Sequence, residues 1–101
     1  MAKYAYPAVF TKEGNEYSIH FPDLESCYTS AESPEEGMEM ANDVLCLTLY
    51  GLEEDGKAIP KPSEVNDVPH GENEFVTLVA CDTLAYRKFY DGKAVKKSLS
   101  I

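Results

Sequence analysis

Residues 33–52, SPEEGMEMANDVLCLTLYGL, decide the fold because they specify the one long helix of the chain. Ser33 can accept a hydrogen bond from the third amide of the helix, and Glu36 can reach back to the Ser33 amide. Pro34 suits the first helical position, where its missing N–H is harmless. The pattern predicts a helix from Pro34 to about Leu52. Apolar spacing predicts the face that packs on a sheet: Met38, Ala41, Leu45, Thr48, Leu49 and Leu52.

Strand patterns precede this helix. Alternating apolar residues predict strands over residues 3–10 and 17–21, joined as a hairpin across the turn at 12–15. A short third strand is predicted around residues 27–30. Pro7 cannot donate a ladder hydrogen bond, so the first strand is predicted to lie at a sheet edge or to carry a bulge.

Downstream of the helix, residues 53–71 are polar and rich in Pro and Gly, which predicts a long loop. The strongly apolar residues 74–81 predict a strand in the centre of the sheet. Asp82 is the predicted cap of a short helix through Tyr90. The order βββαβα predicts an α+β fold, with an antiparallel sheet of three N-terminal strands plus a fourth, one long helix packed on it and a short second helix. Residues 95–101 alternate as an extended basic strand.

Charge divides the chain into two unequal parts. The net charge is −9; residues 1–85 hold four basic and seventeen acidic residues, whereas residues 86–101 hold five basic and one acidic. An acidic body disfavours phosphate backbones and suits a basic protein partner, although acidity also serves solubility alone. The tail is either a solvated end or an arm that binds nucleic acid. Its predicted DNA-contacting residues are Lys96, Lys97, Ser98 and Ser100.

Three apolar residues lie on the helix face opposite the predicted packing stripe, namely Met40, Leu47 and Tyr50. Scattered exposed apolar residues are common on protein surfaces. The alternative is an interface patch that binds a partner or joins a homodimer or higher homo-oligomer. Both interpretations stay open at this point.

No convincing catalytic set is present in the sequence. His20 and His70 lack a neighbouring nucleophile in a context that would position it. Asp23 and Asp82 both follow strands and could meet at one sheet end, but two carboxylates are thin support for a metal-dependent nuclease. A turn residue and a helix cap explain them more simply. The sequence therefore predicts no enzyme, with no catalytic, cofactor-binding or metal-binding residue.

The cysteines Cys27, Cys46 and Cys81 are odd in number and widely spaced, so they match neither a disulfide framework nor a zinc site. The first residues lack the apolar stretch of a signal peptide. The longest apolar run falls far short of the roughly 20 residues of a membrane span. The predicted location is the cytoplasm.

Taken together, several of these stretches resemble the HicB antitoxins. They are Tyr6–Phe10, Tyr17–Leu24 with its Phe-Pro-Asp-Leu turn, Cys27, Ser33–Glu36, Gly51–Pro60, Val79–Asp82, Tyr86 and Lys96–Ile101. The resemblance covers nearly the whole chain and implies a partial, degenerate RNase H-like domain over residues 1–90. It implies that residues 91–101 are a basic tail, either a linker or the start of a ribbon-type DNA-binding module that is incomplete here.

The resemblance also implies a function: the antitoxin of a type II toxin–antitoxin system. Such a protein binds and inhibits a HicA-type toxin, a small basic protein that cleaves mRNA, and can repress its own operon through operator DNA. The alternative left by the residues themselves is a regulatory protein that binds nucleic acid through the basic tail.

Two departures from the family pattern have structural consequences. Where the family has Leu-Pro-Gly-Cys, this chain has Leu24-Glu25-Ser26-Cys27, so the turn must close without Pro or Gly. Where the family helix carries Glu-Glu-Ala, this chain has Gly37. Glycine in a helix interior costs about 1 kcal/mol relative to alanine, unless close packing requires it.

Overall fold

The computed structural model describes residues 3–88. Its elements are β1 (Lys3–Glu13), β2 (Glu16–His20), β3 (Tyr28–Ala31), α1 (Pro34–Glu54), a 3₁₀ helix (Val65–Asp67) and β4 (Glu74–Asp82). A second helix, α2, begins at residue 83 and is described as far as residue 88. The strands form one antiparallel sheet in the order β3-β2-β1-β4, and α1 contacts β2, β3 and β4. The predicted α+β fold is confirmed.

The start of α1 uses the predicted cap with one change. The Glu36 amide donates to the Ser33 hydroxyl at 3.1 Å, as predicted. The Glu36 carboxylate, however, accepts from the Glu32 amide at 2.8 Å and not from the amide of Ser33. The carboxylate therefore ties the residue before the cap to the first turn.

The end of α1 lies two residues beyond the predicted position, at Glu54. Gly56 follows with φ of +66°, a left-handed conformation that glycine adopts without a steric penalty. This bend lets the Lys57 amide donate to the Leu52 carbonyl at 2.9 Å, and the Gly56 amide to the Glu53 carbonyl at 3.1 Å. Both bonds satisfy carbonyls that the helix end would otherwise leave unpaired.

The packed face of α1 differs from the predicted stripe at Met38, which is 42% exposed. Gly37 is buried in its place. A Cβ atom on Gly37 would lie 2.8 Å from the Phe10 ring and 3.2 Å from the Ile19 side chain. The sheet therefore approaches the backbone of α1 at a residue without a side chain, and this rotates Met38 outward. The buried residues of α1 are Gly37, Ala41, Leu45, Cys46 and Leu49.

The prediction that β1 is an edge strand or carries a bulge is wrong. β1 lies inside the sheet and pairs with β4 in an unbroken register from Lys3 to Thr11. Its pairing with β2 begins only at Val9. Pro7 precedes Val9, so its nitrogen points to the side of β1 where β2 has already ended. The missing donor is therefore harmless in an internal strand.

The prediction that β4 is central in the sheet is also wrong. β4 pairs with β1 alone and forms an edge of the sheet. Val79 and Cys81 are buried on the helix side, which explains part of the apolar pattern. Phe75 and Leu78 stay 44% and 53% exposed. The apolar run predicted a strand that pairs along both of its edges, whereas β4 pairs along one edge, with β1.

Residues 62–68 of the loop after α1 form a second layer on the sheet face opposite the helix. Pro7 and Val9 point to that face, since Tyr6 and Ala8 point to the helix side, yet both are buried. Val68 of the loop is buried as well. The Tyr6 hydroxyl donates to the carbonyl of a loop residue, Pro60.

The turn between β2 and β3 closes without Pro or Gly by placing Ser26 in the left-handed region, at φ of +56°. The Phe21 amide donates to the Cys27 carbonyl at 3.0 Å, and the Leu24 amide to the Phe21 carbonyl at 3.1 Å. Leu24 and Cys27 are both buried. Ser26 therefore takes a conformation that L-residues adopt at a cost, in the position where the family has glycine.

We expect Gly37→Ala to lower the free energy of unfolding by about 1 kcal/mol, because overpacking against Phe10 outweighs the gain in helix propensity. Gly51→Ala is the matched control, since nothing lies within 4 Å of its added Cβ; it should raise the stability by about 0.5–1 kcal/mol. Urea denaturation of both variants measures the difference. Equal effects of the two substitutions would contradict the close approach at Gly37.

Candidate functional site

The predicted patch on the outer face of α1 is only partly exposed. Met40 and Leu47 are 39% and 52% exposed and lie two turns apart on one side of the helix. Tyr50 is covered by α2: its ring packs edge-on against Tyr86 with 5.7 Å between ring centroids. The Arg87 guanidinium lies 4.6 Å from the centre of the same ring. Two of the three predicted residues therefore remain accessible to a partner.

Acidic residues surround this pair. Glu36, Asp43 and Glu54 are exposed on the same side of α1 at helical spacing. Across residues 3–88 the chain carries seventeen carboxylates and six Lys or Arg residues. The described surface therefore offers small apolar areas in a strongly negative setting.

A carboxylate cluster fixes α2 to the rest of the domain. The Glu53 carboxylate accepts from the hydroxyls of Tyr4 at 2.8 Å and Thr83 at 2.9 Å. The Arg87 guanidinium lies 3.5 Å from its other oxygen and also pairs with Glu54. Burial raises the pKa of Glu53, but hydrogen bonds, including those from Tyr4 and Thr83, outweigh it and hold the pKa below its ordinary value. The bond to Glu53 raises the pKa of Tyr4 to about 12.

The two aspartates that suggested metal chemistry have structural partners. The Asp23 carboxylate accepts from the amide of Ser63 at 2.9 Å and from its hydroxyl at 2.7 Å, which ties the long loop to the turn after β2. Asp82 accepts from the amides of residues 84 and 85 at 3.1 and 3.3 Å and so caps α2, as predicted. Within residues 3–88, no three His, Cys, Asp or Glu side chains group as metal ligands would.

The cysteines are free thiols, all three of them buried. Cys46 lies on α1 and Cys81 on β4. Hydrogen bonding to Cys46 and burial raise the pKa of Cys81. The Thr48 hydroxyl lies 3.3 Å from the sulfur of Cys27. The cysteines therefore belong to the packing of the domain.

The edge of β4 that pairs with no strand of the described part of the chain is a second surface, and the sequence prediction missed it. Phe75 stacks on Phe10 with 4.8 Å between ring centroids, yet it remains partly exposed. Leu78 is exposed on the other face of the sheet. The only signal in the sequence was the uncharged run 75–81, which indicated a central strand instead.

Two further predictions concern other parts of the chain. Lys96, Lys97, Ser98 and Ser100, the predicted DNA-contacting residues, lie outside the described residues, as does the predicted strand over 95–101. Within the described part, no helix has both the length and the apolar character needed to cross a membrane.

Known proteins match this sequence and fold. A family model described as "HicB_like antitoxin of bacterial toxin-antitoxin system" matches residues 3–82. The chain is 32% identical over 101 residues to "Antitoxin HicB 1" of Photorhabdus laumondii subsp. laumondii, covering 94% of this chain and 60% of that protein. It thus spans less than two thirds of the length of that relative.

Solved structures share the fold. One is a toxin–antitoxin complex from Streptococcus pneumoniae, with a TM-score of 0.76, 25% identity, and coverage of 83% of this chain and 72% of that one. Another is a HicA3 and HicB3 toxin–antitoxin complex, with a TM-score of 0.64, 20% identity, and coverage of 78% and 99%. The fold is that of an antitoxin domain. The chain belongs to the HicB-like antitoxin family of bacterial toxin–antitoxin systems.

We expect Glu53→Gln to lower the free energy of unfolding at pH 7 by about 1 kcal/mol, because hydrogen bonds to a charged acceptor become weaker neutral ones. A carboxyl whose folded pKa is lowered stabilises the fold above its unfolded pKa, and this contribution disappears as the pH falls through the folded value. The difference in the free energy of unfolding between wild type and variant should therefore disappear below about pH 4.

Glu54→Gln is the control for this experiment, since its ion pair with Arg87 lies at the surface and contributes little. Urea denaturation between pH 3 and pH 7 gives both curves. If the wild type still has the same higher free energy of unfolding than Glu53→Gln at pH 3, the stabilising role of the charged carboxylate is contradicted.

Proposed function

We propose that this protein is the antitoxin of a type II toxin–antitoxin system and that it binds and inhibits a small basic HicA-type toxin that cleaves mRNA. The observation that carries the proposal is the match of residues 3–82 to the antitoxin family. The structural likeness to domains solved in toxin–antitoxin complexes supports it.

The charge of the domain supports the same partner. A protein that cleaves RNA needs a positive surface to hold the phosphate backbone. The seventeen carboxylates within residues 3–88 give the domain an opposite field, which accelerates encounter with such a surface. An acidic domain seated there competes with RNA for the same cations. Inhibition then needs no catalysis by the antitoxin, which fits the structural roles of Asp23 and Asp82.

The proposal extends to location and regulation. Because the proposed partner acts on mRNA, we propose that the antitoxin works in the cytoplasm. Residues 91–101 are proposed to be a basic tail that leads into, or begins, a DNA-binding module. Repression of the operon through Lys96, Lys97, Ser98 and Ser100 stays a prediction.

Co-expression tests the proposed function. The neighbouring small basic reading frame should arrest growth when expressed alone, and the wild-type antitoxin should restore growth and co-purify with its product. Because the attraction is electrostatic, the association rate should fall steeply between about 50 mM and 500 mM salt. An unrelated acidic domain of similar net charge is the control and should not restore growth. Failure of the antitoxin both to restore growth and to co-purify would contradict the proposal.

We also propose that Met40 and Leu47 join two copies of the chain, since a single patch on both copies closes a two-fold dimer. The double variant Met40→Glu with Leu47→Glu should shift the protein toward the monomer in sedimentation analysis. Met38→Glu is the matched control, because Met38 is similarly exposed but lies outside the patch. A wild-type protein that sediments as a monomer at high concentration contradicts this association.

A further inference from the structure

Within residues 3–88, the outer edge of β4 presents backbone hydrogen-bonding groups that no described strand uses. The Lys12 amide donates to the Asn73 carbonyl, so every second residue from Asn73 onward, including Phe75, Thr77 and Val79, turns its backbone toward β1. The residues between them turn outward, where no other described strand pairs. One of these outward groups, the Ala80 carbonyl, accepts a hydrogen bond from the side-chain amide of Asn42 on α1 at 2.6 Å.

The outward groups of Val76 and Leu78 form the uncovered part of this edge. The Leu78 carbonyl receives a contact of 3.5 Å from the Thr77 hydroxyl, at the limit of hydrogen-bond length. Proteins normally protect such an edge with Lys, Pro or a bulge. Residues 75–81 contain no charged residue and no proline, and their register with β1 is unbroken. This edge is therefore competent to accept another strand.

Cavities lie beside the edge on both faces of the sheet. Phe75 borders one of about 450 Å³ together with Tyr17 and Lys12, on the helix side. Leu78 borders one of about 310 Å³ together with Ala5 and loop residues 62–66, on the opposite side. An added strand points successive side chains to opposite faces. Its alternate side chains would thus meet Phe75 on one face and Leu78 on the other.

Carboxylates flank the edge. Glu72 and Glu74 lie at one end of β4, and Asp82 lies at the other. Glu35 and Glu39 are exposed on α1, on the side that carries Asn42, because they lie seven and three residues before it. An incoming strand therefore finds apolar contacts in the middle and negative charge around it.

We propose that the β4 edge accepts an extended segment of a basic protein as a fifth strand, with apolar side chains beside Phe75 and Leu78 and Lys or Arg beside the flanking carboxylates. This inference rests on the proposed function, because it makes the toxin the occupant. Strand addition gains affinity from main-chain hydrogen bonds and specificity from the pockets for alternate side chains.

A second copy of this chain fits the edge less well. If Leu78 faces its counterpart in an antiparallel pair, Glu74 faces Asp82 of the second copy. In the adjacent register, where Val76 faces Leu78, Asp82 faces Glu72 of the second copy. Like charges directly opposite each other destabilise a strand pair. A basic segment turns the same carboxylates into attractive contacts.

Binding of full-length variants to the purified product of the adjacent small basic reading frame tests this inference. Leu78→Lys should weaken binding about tenfold or more, because it removes a buried apolar contact and adds a repelling charge. Leu84→Lys is the matched control, since Leu84 is 50% exposed and Leu78 is 53% exposed. Its affinity should stay within about twofold of the wild type. Val76→Pro removes an outward amide while sparing the ladder with β1, and should weaken binding as well.

Amide hydrogen exchange gives a readout that does not depend on the variants. The amides of Val76 and Leu78 should exchange rapidly in the free protein and become protected in the complex. Thermal unfolding shows whether each variant is folded. If Val76→Pro does not fold, Leu78→Lys and the exchange data decide.

The outcomes separate the two proposals. A wild-type protein that does not bind the basic product contradicts the proposed function itself. If the wild type binds, but Leu78→Lys binds equally well and the two amides stay unprotected, the β4 inference is wrong and the antitoxin function stands. A wild-type dimer that Leu78→Lys dissociates in the absence of the basic product would make a second copy the occupant, which also overturns the inference.

Discussion

The close approach of α1 to the sheet at Gly37 is the constraint on which the rest of the domain depends. The Phe10 ring occupies the space that any other side chain at this position would need. This contact fixes the rotation of the helix and with it the residues that are buried. It turns Met38 out of the core, and it lets Asn42 reach the Ala80 carbonyl on β4. The surface beside β4 therefore follows from one residue without a side chain.

The second layer gives a structural role to Asp23, one of the two aspartates that suggested metal chemistry. A loop with little regular structure packs stably on a sheet when its backbone polar groups are paired. Asp23 accepts from the amide and hydroxyl of Ser63, and Tyr6 donates to the Pro60 carbonyl. Through these bonds to Ser63, the Asp23 carboxylate fixes the loop that packs over Pro7 and Val9. An acidic side chain here stabilises the packing of the domain.

Local signals in the sequence predicted most of the elements. The Ser33 cap, the hairpin and the Asp82 cap depend on neighbouring residues, so short stretches suffice to predict them. Strand order does not depend on local sequence. The apolar pattern of a strand such as β4 is the same whether or not another strand pairs with its outer edge. The edge surface at Phe75 and Leu78 was therefore missed, whereas the exposure of Met40 and Leu47 follows from helical periodicity and was predicted.

Tyr50 shows the limit of periodicity in the same way. Its position on the outer face of α1 follows from helical spacing, but its cover by Tyr86 and Arg87 depends on where α2 packs. That packing is set by Glu53, which joins β1, α1 and α2. A contact among three distant parts of a chain leaves no pattern at short range. Such contacts require the fold to be known first.

The large negative charge resolves a conflict that the β4 edge creates. An uncharged, apolar edge strand invites copies of the same protein to pair with it and aggregate. The strand itself carries none of the residues that usually prevent this, so protection has to come from its surroundings. The carboxylates at both ends of β4, together with Glu35 and Glu39 of α1, repel another copy at this edge, because that copy carries the same charges in the same places. The same field attracts a basic protein. One charge distribution can therefore keep other copies away from the β4 edge and leave it open to a partner of opposite charge, which is the selectivity that the proposed binding of a basic toxin would need.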